Sequence, residues 1–507
     1  MSTPNRADGP RPEATTRAGR VRGMWRHDVA VFLGIPFAQP PVGPLRFAAP
    51  VPPEPWGGVR DAVEYGPTTD RVPIPGHIMP ETVVLGDETL NLNVFTPALA
   101  HEPPSGLPVM VWIHGGGFYG GSPKNEWYEG ESFTRDGVVV VTVDYRLGVD
   151  GFGCIDGAPH NRGVLDWLAA LEWVSDNIAA FGGDPARVTI AGQSAGGGAV
   201  LTLLGMQRAQ PLFCAAISLS GAVADVPRAR ADEFTRRLAA RAGVAGDRAG
   251  LASLSEARLL ELQSQQFAGF ATPARERLAM TRAMLDGAFP TGPMIDGDLL
   301  ERPTVDSLAL GVGADKPLLI ATVDDELTSE TARGMPRVVD LLPRFPALRM
   351  LGIPGSVARA YLARHRGLKP RRLLGQLLTD ALFRRLALDV ATARGTAATW
   401  LARVGWTSPA FGDALHCLDL PFFFDVLGSP TVYRLVGPQA PQQIADDLHG
   451  AAVRLIRGHE PQWEAWTPER GATRVLNTTI VTELDGYADV RPLSLDPPMS
   501  LGVERAS

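Results

Sequence analysis

The sequence predicts an α/β fold: a large, mostly parallel central sheet with helices on both faces and an antiparallel part at the N-terminal end. Three observations lead there. The first hundred residues carry β-forming runs, GRVRGMW, VAVFLGIPF and NLNVFTP, that read as antiparallel strands. After them, apolar runs alternate with helical patterns: VMVWI, VVVVTVDY, the amphipathic LDWLAALEWVSDNIAAF, then ARVTIAG. Such alternation winds a parallel sheet, because each parallel connection is a crossover helix that then covers a face. The third observation is FGGDPARVTIAGQSAGGGAV, from Phe181 to Val200. There, β-favouring residues Arg187 to Ile190 run into a glycine-flanked serine, and a Gly/Ala/Leu-rich helical pattern follows.

No Pro/Ser/Gly-rich linker or charge run divides the 507 residues, and large α/β folds run long as single units. Residues 18–507 are therefore expected to form one domain. Residues 1–17, polar and poor in large apolar side chains, read as a disordered tail. The Arg/Ala/Leu-rich region 228–285 reads as a helical insertion, either a lid over the pocket or surface helices packed on the sheet. The N-terminus has no apolar h-region, and no run approaches the ~20 apolar residues of a membrane span. Internal repeats are not visible.

A net charge of −7 and a pI near 5.8 leave no general footprint for nucleic acid. Lysine is confined to Lys124, Lys316 and Lys369, and the arginines are spread along the chain, a bias that fits a GC-rich bacterial genome. Cys154, Cys214 and Cys417 are too few and scattered for a disulfide framework, so a reducing cytoplasm is the simplest home. No HExxH or paired CxxC suggests a metal, and the glycine-rich loop before Phe118 lacks the GK[ST] of a phosphate loop. No cofactor and no metal are expected.

The chemistry centres on Gly192-Gln193-Ser194-Ala195-Gly196. A bare G-x-S-x-G occurs by chance, but a strand before it and a helix after it make a nucleophile elbow. A serine at its tip sits at the positive end of the following helix. It needs a base, an acid to orient the base, and donors for an oxyanion. The order after the serine should be acid, then His. Carboxylates cluster at Asp324, Asp325 and Glu326, where the apolar run Pro317 to Ala321 ends, and α/β active sites form at carboxyl ends of strands. His416 follows them and suits general-base work, although on its own a structural histidine is an equal reading; His449 and His459 lie in generic sequence. His114-Gly115-Gly116-Gly117 follows the strand VMVWI, where glycines let consecutive N–H groups face a substrate. Cys417, beside His416, reads as a buried filler rather than a nucleophile.

The chain resembles the type-B carboxylesterase/cholinesterase family, whose members have the α/β-hydrolase fold. The likeness runs in order through GIPFAQPPVGPLRF (Gly34 to Phe47), PWGGVRDAVEYGP (Pro55 to Pro67), LNLNVFTP (Leu90 to Pro97), VMVWIHGGGFYGG (Val109 to Gly121), VTVDYRLGVDGF (Val141 to Phe152) and NRGVLDWLAALEWVSDNIAAFGGDP (Asn161 to Pro185). Weaker matches follow at MIDGDLL (Met294 to Leu300), LLIATVDDEL (Leu318 to Leu327) and ALHCLDLPFFF (Ala414 to Phe424). The resemblance implies Ser194, Glu326 and His416 as the triad, with the amides of Gly116, Gly117 and Ala195 as oxyanion donors. It places Val323 and Leu327 where the family has Asn and Gly around its acid, so Asp325 and Asp324 stay open as substitutes. It implies buried pairs Arg146–Asp166 and Arg46–Asp87. Thr89 stands where secreted animal members have a cysteine, which removes that disulfide.

Two departures bear on substrate. No tryptophan lies between Trp56 and Trp112, where cholinesterases stack a quaternary ammonium, and neutral Gln193 stands where cation-handling members place Glu. The expectation is hydrolysis of a neutral, largely apolar ester of short to medium acyl chain, a small-molecule substrate, with the oligomeric state open between monomer and dimer. The alternatives are an amidase, carbamate hydrolase or transacylase using the same triad, or a non-catalytic binding relative.

Overall fold

The computed structural model describes residues 10–494 apart from 72–77, 80–81, 101–104, 268–280, 283, 286–288 and 290. Its centre is an eleven-stranded sheet. The strands are β1 (Met24–Arg26), β2 (Val29–Pro36), β3 (Asn91–Thr96), β4 (Leu107–Ile113), β5 (Val139–Val143), β6 (Gly183–Gln193), β7 (Ala215–Leu219), β8 (Leu318–Val323), β9 (Thr399–Val404), β10 (Thr473–Leu476) and β11 (Val481–Glu483). Across the sheet they run β11-β10-β9-β8-β7-β6-β4-β5-β3-β2-β1. The block from β5 to β10 is parallel, and both edges are antiparallel.

The apolar runs form strands because both faces of the sheet are covered. In β4 every residue is buried, and alternate side chains serve two cores. Val109, Val111 and Ile113 join the core made with α1 (Arg162–Asn177), α2 (Ala195–Leu204) and α3 (Arg385–Arg394). Met110 and Trp112 join the opposite core, with α4 (Gln442–Ile456). Trp112 sits in an aromatic block with Tyr128, Phe423 and Phe424 at centroid distances of 5.3, 5.5 and 4.8 Å. Such pairs add about 0.5–1.5 kcal/mol each beyond area burial, and here they anchor the strand that delivers the glycine loop.

The N-terminal reading needs correction. Residues 10–17 of the expected 1–17 tail belong to the fold: Glu13–Thr15 pairs antiparallel with Arg20–Arg22. Arg17 is held by Asn177, whose side-chain oxygen accepts its N–H at 2.7 Å, and by Asp176. Polar composition misled because this short strand buries only Ala14. Residues 1–9 lie outside the described residues. Arg20–Arg22 also pairs with Val59–Asp61, in parallel, so the first hundred residues are not wholly antiparallel.

Region 228–285 is helical where described: Arg228–Ala242, Arg248–Ala252 and Glu256–Phe267. Leu238, Leu251, Leu259 and Leu262 form a core there with Phe47, Val149 and Ile155. Most of 268–285 lies outside the described residues.

Candidate active site

Register places the chemistry. Ile113 at the end of β4 lies opposite Gly192, and Leu219 at the end of β7 lies opposite Gln193. Ser194 therefore emerges at the carboxyl edge of the sheet, between the glycine loop and the turn after β7. Its φ of 59° and ψ of −124° belong to a region L-residues avoid, and its N–H donates to the Leu219 carbonyl at 2.9 Å. The turn demands glycine on both sides. A Cβ on Gly192 would lie 2.5 Å from the Gly196 carbonyl, and one on Gly196 would lie 2.0 Å from the Ile113 carbonyl oxygen.

The glycine loop rests directly on this turn, since a Cβ on Gly115 would come within 3.0 Å of the Ser194 Cβ. Gly116 and Gly117 have φ of 122° and 62°, backbone that favours glycine, and among the described residues neither amide N–H meets a protein acceptor. Ala195 is the first residue of α2, where a helix leaves its N–H unpaired. His114 is fully buried, stacked on Tyr145 at 4.5 Å, and the Tyr145 hydroxyl donates to the His114 carbonyl at 2.9 Å.

The three carboxylates after β8 diverge. Glu326 is buried; one carboxylate oxygen accepts the Val323 N–H at 3.0 Å and the other meets His416 Nδ1. The His416 N–H also donates to the Glu326 carbonyl at 3.1 Å. Asp325 instead accepts from the Ala414 N–H at 3.2 Å, and Asp324 lies 4.0 Å from Arg384 and 3.9 Å from Arg403. Burial, reinforced by Asp413, pushes the Asp325 carboxyl up to about 6, and burial also raises that of Asp324. The structure thus brings Glu326, and neither aspartate, to His416.

With Nδ1–H given to Glu326, His416 Nε2 is the acceptor nitrogen. In this resting arrangement it faces the Gln193 side-chain amide nitrogen at 3.3 Å, and no hydrogen bond joins it to Ser194 Oγ. Gln193 is buried, and its carbonyl oxygen accepts from the Cys417 thiol at 3.7 Å. Cys417 is buried at φ 69°, and burial pushes its thiol well up, which suits a packed filler rather than a thiolate. Burial disfavours the charged His416 ring, but Glu326, with Asp419 and Glu330 adding to it, outweighs burial and holds the pKa above its ordinary 6.5.

Three further residues at the site escape sequence reasoning. Asp419 is fully buried three residues beyond His416; Ser220 Oγ donates to it at 3.4 Å, and burial pushes its carboxyl up to about 7. Ser220 directly follows β7, the neighbour of the elbow strand, and that placement was its only signal. The Phe383 ring lies 5.0 Å from that of His416, tilted by 42°, and belongs to an apolar cluster with Ala222, Leu382, Met284, Phe289 and Leu327. The Ala222 N–H donates to the Ser194 carbonyl at 3.0 Å, which sets that cluster beside the serine.

Of the implied buried pairs, Arg146 and Asp166 meet through two side-chain contacts of 2.9 and 2.7 Å. Arg46 does not meet Asp87, which is exposed; it lies 3.6 Å from Asp150. The three cysteines are free.

The family model of the carboxylesterase family matches residues 10–468. The chain belongs to the carboxylesterase family. It is 33% identical to a para-nitrobenzyl esterase of Bacillus subtilis (strain 168) over 504 residues, covering 94% of this chain and 97% of that one. It is 31% identical to a fumonisin B1 esterase of Sphingopyxis macrogoltabida over 492 residues, 90% of this chain and 85% of that one. Among solved structures, a carboxylesterase of Geobacillus stearothermophilus superposes with a TM-score of 0.81 at 31% identity, over 95% of this chain and 99% of that one. The fold is thus that of the α/β hydrolases, and as a member of this family the chain is a carboxylic ester hydrolase. Among the described residues no helix is long and apolar enough to cross a membrane.

Proposed function

We propose that this carboxylesterase cleaves neutral, largely apolar esters through an acyl-enzyme on Ser194. Two observations support the reading: the strained backbone of Ser194 after β6, and a His416 oriented by Glu326 whose Nε2 lies 3.3 Å from the side chain of the preceding Gln193. In this reading a bound ester draws the Ser194 hydroxyl to His416 Nε2, displacing the Gln193 amide; catalytic hydrogen bonds often tighten only with substrate. The serine proton passes to Nε2 as Oγ bonds to the acyl carbon. The amides of Gly116, Gly117 and Ala195 hold the oxyanion, each worth about 3 kcal/mol of transition-state stabilisation. His416 then protonates the departing alkoxide as the C–O bond breaks. Water repeats the sequence on the acyl-enzyme, releasing the acid and restoring Ser194. Glu326 keeps the tautomer and stabilises imidazolium, while Asp325 and Asp324 face other partners.

Neutral Gln193 and the apolar cluster around Phe383 favour an uncharged substrate with an apolar group near the scissile bond. The B. subtilis relative, named for para-nitrobenzyl ester cleavage, agrees with that class. Three unpaired thiols favour a cytoplasmic setting, which fractionation of source cells would test.

Hydrolysis of p-nitrophenyl esters from acetate to palmitate tests the assignment. Ser194→Ala should abolish turnover and fluorophosphonate labelling. Glu326→Gln should lower kcat by roughly 10³–10⁴-fold, and Asp325→Asn by less than about tenfold. Labelling that survives Ser194→Ala, or a larger loss from Asp325→Asn than from Glu326→Gln, would refute it.

A further inference from the structure

Arginines that look evenly spread along the chain are in fact concentrated once. Residues 333–372 hold ten basic side chains and one acidic one, Asp340, whereas the remaining chain holds 38 basic and 54 acidic. Asp340 is already taken by Arg371 at 2.9 Å, and Arg372 pairs with Asp413 at 2.7 Å. The other eight cations meet no carboxylate among the described residues.

The same stretch carries apolar side chains with nowhere to go. Leu341 is 82% exposed and Leu342 48%. They lie at the end of a short turn, Arg337–Leu341, fixed between Pro336 and Pro343. They are not needed for folding, because the unit has its own core of Leu348, Ile353, Val357, Tyr361, Leu373 and Leu377. Isolated exposed leucines are ordinary; adjacent ones in a stretch whose cations mostly lack carboxylate partners are not. Hydrogen bonds gather the patch. The Arg371 guanidinium and N–H clamp Asp340, bringing Lys369 to the turn, and Arg344 donates to the carbonyls of His365 and Arg366.

We propose that the surface of Arg337, Leu341, Leu342, Arg344, Arg366 and Lys369 docks on an anionic phospholipid–water interface. The leucines enter the acyl boundary and the cations meet headgroup phosphates, the pairing of apolar burial and charge that holds proteins on such surfaces. A polyanion such as nucleic acid would use the charges and leave the leucines in water. A second copy would set like charges against each other. The rest of the chain carries 54 acidic against 38 basic side chains, so an anionic surface favours this stretch over the remainder and docking is oriented. Leu327 belongs both to the core of the unit that carries the patch and to the cluster beside His416, so the docking unit packs continuously with the site.

The test uses the full chain with vesicles of phosphatidylcholine alone or with about 30 mol % phosphatidylglycerol. Binding to the anionic vesicles should exceed binding to neutral ones at least ~10-fold and weaken as salt rises. Leu341→Ser/Leu342→Ser and Arg337→Glu/Arg366→Glu should each lower it at least ~10-fold, with thermal midpoint and p-nitrophenyl ester turnover unchanged. Equal binding to both vesicles, or variants that bind like wild type, would overturn the proposal. So would binding to heparin or DNA without vesicle binding, or a dimer that only the leucine variant dissolves.

Discussion

Gln193 decides how the base rests, and it is the residue at which this chain's site departs most clearly from a cation-handling one. Its amide N–H can donate to neutral Nε2 but has nothing to offer an imidazolium Nε2–H, so in this orientation it favours the neutral base. The groups facing His416 are otherwise Glu326, Asp419 and Glu330, with the Cys417 thiol behind Gln193 and the Phe383 ring tilted against the imidazole. The base must be neutral to accept the serine proton, and its pKa lies above 6.5, so kcat/KM should fall as pH drops through a midpoint above 6.5. Gln193→Glu adds a carboxylate against Nε2 and stabilises imidazolium, so that midpoint should move up by about one unit or more. Gln193→Met, which packs without donating, should leave it within about half a unit of wild type. A pH–rate profile of each variant reads this directly, and a midpoint unmoved or lowered in Gln193→Glu would contradict the account.

At the scale of elements, a π-turn brings apolar side chains to the base. Helix Pro370–Thr379 does not continue smoothly into α3; Asp380–Arg384 forms one wide turn between them. Such turns are rare and recur at functional sites, because the extra residue re-aims the side chains that follow. Here the turn is braced by the buried Asp380–Arg384 contact at 2.7 Å and presents Leu382 and Phe383 to the apolar cluster beside Ser194. Phe383 thus packs on the base, where it is expected to meet the acyl group of a bound ester. Phe383→Ala should move the best p-nitrophenyl ester to longer or bulkier acyl groups and lower kcat/KM for the acetate about 10-fold or more, as a methylene's worth of pocket contact is about 1–3 kcal/mol. An unchanged chain-length optimum would remove Phe383 from contact with the acyl group.

For the molecule as a whole, legibility followed backbone constraint. Strands such as LPVMVWI are readable because a sheet buried on both faces leaves no polar alternation to confuse with a loop, and the elbow because its glycines answer to backbone atoms under 3 Å away. What escaped depends on tertiary pairing. Glu13–Thr15 looks like tail because it buries one alanine, Arg46 finds Asp150 rather than Asp87 through loop packing, and Phe383 owes its place to a turn with no sequence mark. Half-buried carboxylates are equally silent in sequence, and they shape stability against pH. Asp225 accepts from the Thr304 N–H at 2.7 Å and its hydroxyl at 2.8 Å, yet burial pushes its carboxyl up to about 6 from an ordinary 3.8. The folded state then binds this proton more tightly than the unfolded chain. Its destabilising effect is absent below 3.8, grows as pH rises, and is complete once pH passes about 6. Asp225→Asn keeps both contacts, since the Thr304 hydroxyl can accept from the new amide, and removes the titration. On about 1.4 kcal/mol per pKa unit, the variant's advantage over wild type should increase by roughly 1.4 kcal/mol between pH 5 and pH 8. Paired urea unfolding curves at the two pH values measure it, and a pH-independent difference would mean that Asp225 titrates as an ordinary surface carboxylate.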